Sequence, residues 1–123
     1  MPYNDSDREA RRKPPIYIYR GEPVEEKIFQ PVDSGGSPVD PSTWTITFQL
    51  YRDKSQTAPD LEKTLTGGGL TVDPNFYIVL NATATESTNL TNWRYEFVMK
   101  VDDGASPFWY VTGEAIVKDK LTL

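Results

Sequence analysis

Four features of this 123-residue chain carry groups that could do chemistry. They are the adjacent carboxylates Glu25-Glu26 and Asp102-Asp103, the aspartates Asp33 and Asp40 around a glycine-rich loop, the triple Gly67-Gly68-Gly69, and the basic run Arg11-Arg12-Lys13. Two carboxylates facing each other are what acid–base hydrolysis of a glycoside requires. Residues adjacent on a strand point to opposite faces, however, so neither acidic pair is a ready-made dyad. Oxygen-rich loops suit calcium, but the spacing of an EF-hand is missing. The glycine triple lacks the Lys-Ser/Thr and following helix of a phosphate loop and reads as a turn. Arg11, Arg12 and Lys13 read either as a solvated face or as a contact for an acidic neighbour. Asn81-Ala82-Thr83 and Asn89-Leu90-Thr91 match glycosylation sequons, yet no secretion signal accompanies them.

The inventory narrows the chemistry further. The chain has neither histidine nor cysteine. Without them there is no zinc site of the usual kind, no Ser-His-Asp or Cys-His machinery and no disulfide. No catalytic residue, cofactor or metal site is assigned, and the expectation is a protein that is not an enzyme.

Formal net charge is −5, and the first fifteen residues, with four bases and three acids, leave the negative charge on the remainder. A negative body repels phosphate backbones, which argues against nucleic acid as a partner. The longest unbroken apolar run, Phe76 to Leu80, is far too short to span a bilayer, so no membrane partner is expected either. The N-terminus is polar and lacks the apolar core of a signal peptide.

Residues 1–15 read as a polar N-terminal extended arm with one aromatic, Tyr3, stopped by Pro14-Pro15. Residues 16–123 read as the folded domain. Strand signals recur there at roughly ten-residue spacing: PIYIYR, VEEKIFQ, TWTITFQLYR, LEKTLT, FYIVLNA and two more in a terminal hairpin. In TWTITFQLYR the residues Trp44, Ile46, Phe48 and Leu50 fall on one face, a strict period of two. TESTNLTN reads as a helical turn. About seven antiparallel strands with no long amphipathic helix predict an all-β sandwich.

The terminal stretch NWRYEFVMKVDDGASPFWYVTGEAIV holds six of the fifteen aromatic residues. Trp93, Tyr95, Phe97, Met99 and Val101 share one face, which makes Trp93, Tyr95 and Phe97 candidate core with Trp44 and Phe48. On the return strand the small residues Gly113 and Ala115 imply close packing against large neighbours, so the Trp109 series is assigned inward. Phe108 and Tyr110 are then left outside as a contact patch. Asp102-Asp103-Gly104 supplies the turn.

From about Tyr19 to Asp119 the chain resembles the immunoglobulin-like N-terminal domain of phage baseplate upper proteins and related phage virion sandwich domains. The matching residues are Arg20-Gly21-Glu22, the run GGSPVDPSTWTITFQLYR, Leu61 to Leu65 (LEKTL), Leu90 followed by Trp93-Arg94-Tyr95-Glu96-Phe97, and Gly113-Glu114-Ala115-Ile116-Val117. The glycine usual before the aromatic pair is replaced by Asn92 or Trp93, and a polar arm precedes the domain. The resemblance implies an immunoglobulin-like β-sandwich that serves as a structural protein of the virion, made in the host cytoplasm. Its partners would be other virion proteins or further copies of itself. Tail, baseplate or fibre attachment is the favoured place, and Tyr3, Arg11, Arg12, Lys13, Phe108 and Tyr110 are the candidate contacts. A capsid decoration protein clamping neighbouring capsomers is one alternative. A carbohydrate-binding module using Tyr51, Phe108 and Tyr110 is the other. In immunoglobulin sandwiches a tyrosine near the start of strand F bonds back to the preceding corner; Tyr95 is the candidate here, ahead of Trp93.

Overall fold

The computed structural model describes residues 13–53, 55–105 and 108–119. Within them the chain runs β1 (Ile16–Arg20), β2 (Val24–Phe29), β3 (Thr45–Tyr51), β4 (Leu61–Thr64), β5 (Leu70–Val72), β6 (Ile78–Ala82), α1 (Ala84–Thr88), β7 (Arg94–Asp102) and β8 (Trp109–Asp119). The strands form a five-stranded sheet in the order β1-β8-β7-β3-β4 and a three-stranded sheet in the order β2-β6-β5. Inward residues of both sheets alternate with outward ones and meet in a single core.

Period-two patterning explains the long strands. On β3 the residues Ile46, Phe48 and Leu50 are buried, and on β7 so are Tyr95, Phe97, Met99 and Val101. Phe48 and Phe97 stack across the β3–β7 pair with ring centroids 5.4 Å apart, while Trp44 and Trp109 meet edge-on at 6.0 Å. Opposite Phe97 stands Gly113. A Cβ there would lie 2.5 Å from the Phe97 ring, so the glycine is what lets the ring lie flat on β8. The small residue expected to mark close packing does so.

The structure corrects the strand pattern in three places. There are eight strands among the described residues, the extra one being the three-residue β5. Not all pairing is antiparallel, because β1 runs parallel to β8. The FYIVLNA strand starts at Ile78, since Phe76 adopts a positive φ of 68°. It does so inside a loop organised by Asp73, whose carboxylate accepts the N–H groups of Asn75 and Tyr77.

Between β6 and β7 the helical turn expected for TESTNLTN is α1. Thr83 caps it and Glu86 reaches back to the Thr83 N–H, a complete capping box. Buried Ser87 fixes α1 to the β1–β2 turn: its Oγ donates to the Glu22 carbonyl and accepts the Gly21 N–H. The polypeptide then turns a corner and enters β7. Strand order now identifies the fold, with β2, β6 and β5 as the B-E-D sheet. They face β8, β7 and β3 as the G-F-C sheet, which is widened by β4 on one side and by the parallel β1 on the other. That is an immunoglobulin-like sandwich.

A candidate contact face on the five-stranded sheet

The outward side chains of the five-stranded sheet lie in rows set by its register. Lys100 stands opposite Tyr110, Val98 opposite Thr112, Glu96 opposite Glu114 and Arg94 opposite Ile116. On the far side of β7, Thr47 faces Lys100 and Tyr51 faces Glu96. Tyr17 and Tyr19 flank β8 at the level of Ile116 and Lys118.

Exposed apolar mass is concentrated here. Phe108 is 48% exposed and Tyr110 50%, and their rings meet edge-on at 5.8 Å. The Lys100 ammonium sits 4.0 Å from the Phe108 ring centre, and Lys118 sits 4.9 Å from that of Tyr17. Tyr17 and Tyr19 are both 44% exposed. Each aromatic pair thus carries a cation on its face, the chemistry of a surface that is neither purely apolar nor strongly charged.

Between these pairs lies a charge clamp. Glu96 and Glu114 are directly opposed across β7 and β8, and like charges in that position repel. Arg94 resolves this by donating to both oxygens of Glu114 at 3.1 and 3.0 Å and to Glu96 at 3.1 Å. Glu114 first, then Glu96, pushes the guanidinium further above its ordinary pKa. Both carboxylates therefore serve one cation, an arrangement suited to holding a surface rigid.

Beside the clamp the β3–β4 loop and the sheet line an open concavity of about 630 Å³, with Tyr51, Arg52, Asp53 and Gln56 on one side and Arg94 and Glu96 on the other. Gln56 organises the loop. Its Oε1 accepts the N–H groups of Arg52 and Asp53, and its Nε2 donates to Asp60, which also pairs with Arg52 at 2.6 Å. Hydrogen bonds from Ser55 hold the Asp53 carboxyl below its ordinary pKa.

Of the candidate contacts, Tyr3, Arg11 and Arg12 lie outside the described residues. Lys13 belongs to the sandwich edge: its N–H donates to the Thr112 carbonyl at 2.8 Å and its ammonium covers the Phe29 ring at 4.9 Å. Phe108 and Tyr110 stand outward together, away from the concavity that Tyr51 lines. Trp44, Phe48, Tyr95, Phe97 and Trp109 are core. Trp93 is not. It is 69% exposed, because β7 begins only at Arg94 and the period-two alternation does not extend back into the corner. Tyr95 takes the corner role, its hydroxyl accepting the Asn92 N–H at 3.1 Å.

Loop aspartates are occupied by turns. Asp33 accepts from Gly35 and Ser37, Asp40 from Ser42, Asp102 from Gly104 and Asp103 from Ala105. Among the described residues no three acidic side chains gather as a metal site. No described helix is long and apolar enough to cross a membrane. The Glu96–Glu114 opposition was missed by sequence reasoning, because it depends on the hairpin register.

No family model and no curated protein matches the chain. Among solved structures it is similar to the crystal structure of human protocadherin-24 EC1-2. The identity is 15% and the TM-score 0.38, over 86% of this chain and 41% of that one. The chain thus spans less than half the length of that structure. By its own strand order it is an immunoglobulin-like β-sandwich, and its exposed aromatic and charged side chains gather on the outer face of the larger sheet.

Proposed function

We propose that this chain is a non-enzymatic structural protein of a phage particle, working by protein–protein contact in the tail, baseplate or fibre attachment. The observation that carries the contact reading is the placement of its exposed aromatics. Of the five large apolar side chains exposed among the described residues, Tyr17, Tyr19, Phe108 and Tyr110 all border one sheet face. Tyrosine and phenylalanine are enriched at protein interfaces whereas lysine is depleted there, so the aromatics and not the lysines beside them support the contact reading. The phage assignment rests on the resemblance of residues 19–119 to virion sandwich domains, and the partners are accordingly other virion proteins. A role as a capsid decoration protein uses the same face and differs in stoichiometry.

The test is mass-spectrometric quantification of the chain in purified particles. Few copies place it in the tail, and stoichiometry with the capsid protein makes it a decoration protein. Its absence from particles sinks the virion assignment. Replacing Phe108 and Tyr110 by serine is expected to abolish incorporation while leaving the isolated domain folded.

One observation favours a second reading, carbohydrate binding. Tyr51 lines a concavity whose charges, Arg52, Arg94, Asp53 and Glu96, balance, which suits a neutral polyhydroxyl ligand. Phe108 and Tyr110 do not contribute to it. Glycan-array binding lost in Tyr51→Ala supports this reading, and a blank array removes it.

A further inference from the structure

Strands that end a sheet offer unpaired backbone N–H and C=O groups to any strand that reaches them, and folded proteins guard such edges. Among the described residues β1, β4, β2 and β5 are the four edge strands. Three are guarded. β4 has four residues and β5 three. β2 is broken by a bulge between Lys27 and Phe29. It also turns Glu26 inward between buried Val24 and Ile28, where desolvation raises the carboxyl's pKa. The fourth, β1, has among the described residues no bulge, and its only prolines, Pro14-Pro15, stand before its first residue. Ile16-Tyr17-Ile18-Tyr19 is uncharged, and the Arg20 guanidinium is turned back onto Asp119 and the carbonyls of Leu90 and Asn92.

We propose that β1 is the place where a second copy of this chain adds, strand to strand and antiparallel about Ile18, joining two five-stranded sheets into one. The strand is self-complementary about that residue. Tyr17 falls opposite Tyr19 of the partner subunit and Tyr19 opposite Tyr17 of the partner subunit, giving two aromatic cross-strand pairs on the exposed face. Charge permits the contact although each copy carries −5 overall. The edge itself is neutral, Arg20 is neutralised by Asp119, and Lys118 lies over the Tyr17 ring. No carboxylates are brought face to face across the strand pair. Two five-residue strands cover less than the roughly 1,200–2,000 Å² of a stable free-standing interface, so the dimer is weak and concentration-dependent. The inference rests on the protein-contact reading and names one of its partners.

Register-specific cross-linking of the full chain tests it, helped by the absence of cysteine. Tyr17→Cys and Tyr19→Cys proteins are oxidised separately and mixed. Only the 17–19 combination lies directly opposite and within disulfide reach, so the mixture is expected to give several-fold more covalent dimer than either variant alone. Equal yields in all three reactions overturn the register. A chain that sediments as a monomer up to about 1 mM, a concentration that reveals even weak association, and forms no cross-link overturns the pairing. In the double variant Tyr17→Glu/Tyr19→Glu, both positions being exposed, the melting temperature is expected to hold while the dimer disappears. A dimer that persists there also defeats the proposal. Incorporation into particles is not read by these experiments, so their failure leaves the virion assignment standing.

Discussion

The buried hydroxyl of Tyr95 accepts the backbone N–H of Asn92 across 3.1 Å, tying the start of strand β7 to the corner that delivers it. The bond spans the point at which the chain leaves the α1 side of the sandwich and enters the central strand of the larger sheet. Tyr95→Phe removes it while keeping the ring that fills the core. The expected cost is about 1 kcal/mol, that of one net hydrogen bond, measured by urea unfolding. An unchanged midpoint would mean that the corner is held by the ring alone.

Phe97 and Gly113 make a second pair in which one residue exists for the other. A methyl group on Gly113 would meet Phe97 at 2.5 and 2.7 Å and the Lys13 carbonyl oxygen at 3.2 Å. Gly113→Ala is therefore expected to destabilise by roughly 1–3 kcal/mol, the range for overpacking a close-fitted core. Phe97→Leu in the same chain should recover part of that loss relative to the single changes. Additive losses would show that the two sites are uncoupled.

These pairs show which parts of the fold were legible in the sequence. Gly113 and Ala115 against large neighbours and the alternation of β3, β7 and β8 follow from side-chain size and a period of two, and the Tyr95 corner from the likeness to immunoglobulin sandwiches. What escaped depends on information that no local pattern holds. β5 is three residues long and follows a glycine triple, too short for a period to register. The parallel β1–β8 pair joins segments about a hundred residues apart. Trp93 has the parity of Tyr95 yet lies beyond the strand's end, where parity has no meaning. The contact face was half legible. Phe108 and Tyr110 could be placed outside by parity, whereas Tyr17, Tyr19 and the Glu96–Glu114 opposition needed the register of three strands.

Two glutamates should give opposite pH signatures. Desolvation raises the pKa of Glu26, so its stability contribution is full below the ordinary value of 4.5 and lost as pH rises through the folded value. For Glu86 the Lys63 ammonium, then the Thr83 N–H, lowers the pKa, and the stability is present above 4.5 and lost as pH falls. Glu26→Gln is expected to raise the unfolding midpoint at neutral pH, and Glu86→Gln to lower it. Both differences should fade in acid. Shifts of the same sign, or shifts that do not depend on pH, would contradict the assignment.

The Arg94 clamp allows a sharper test, because removing one partner creates a repulsion that removing a second relieves. Arg94 stands between Glu114, which it grips through both oxygens, and Glu96, which lies directly opposite Glu114 on the neighbouring strand. Arg94→Met keeps most of the side chain's apolar stem over the sheet and withdraws the charge together with the three hydrogen bonds it donates to Glu114 and Glu96. The opposed glutamates then lose Arg94, and unfolding should become easier at neutral pH. Glu114→Gln alone breaks the bidentate contact but also removes one of the two negative charges, so it should cost less. Combining the two leaves a single carboxylate opposite a neutral amide, and the double variant should be more stable than Arg94→Met by itself. That non-additivity is the measurable signature of a clamp that cancels repulsion. If Arg94→Met/Glu114→Gln is instead the least stable of the three, Arg94 acts chiefly as a bond to Glu114, and the opposition of the two glutamates has no energetic weight.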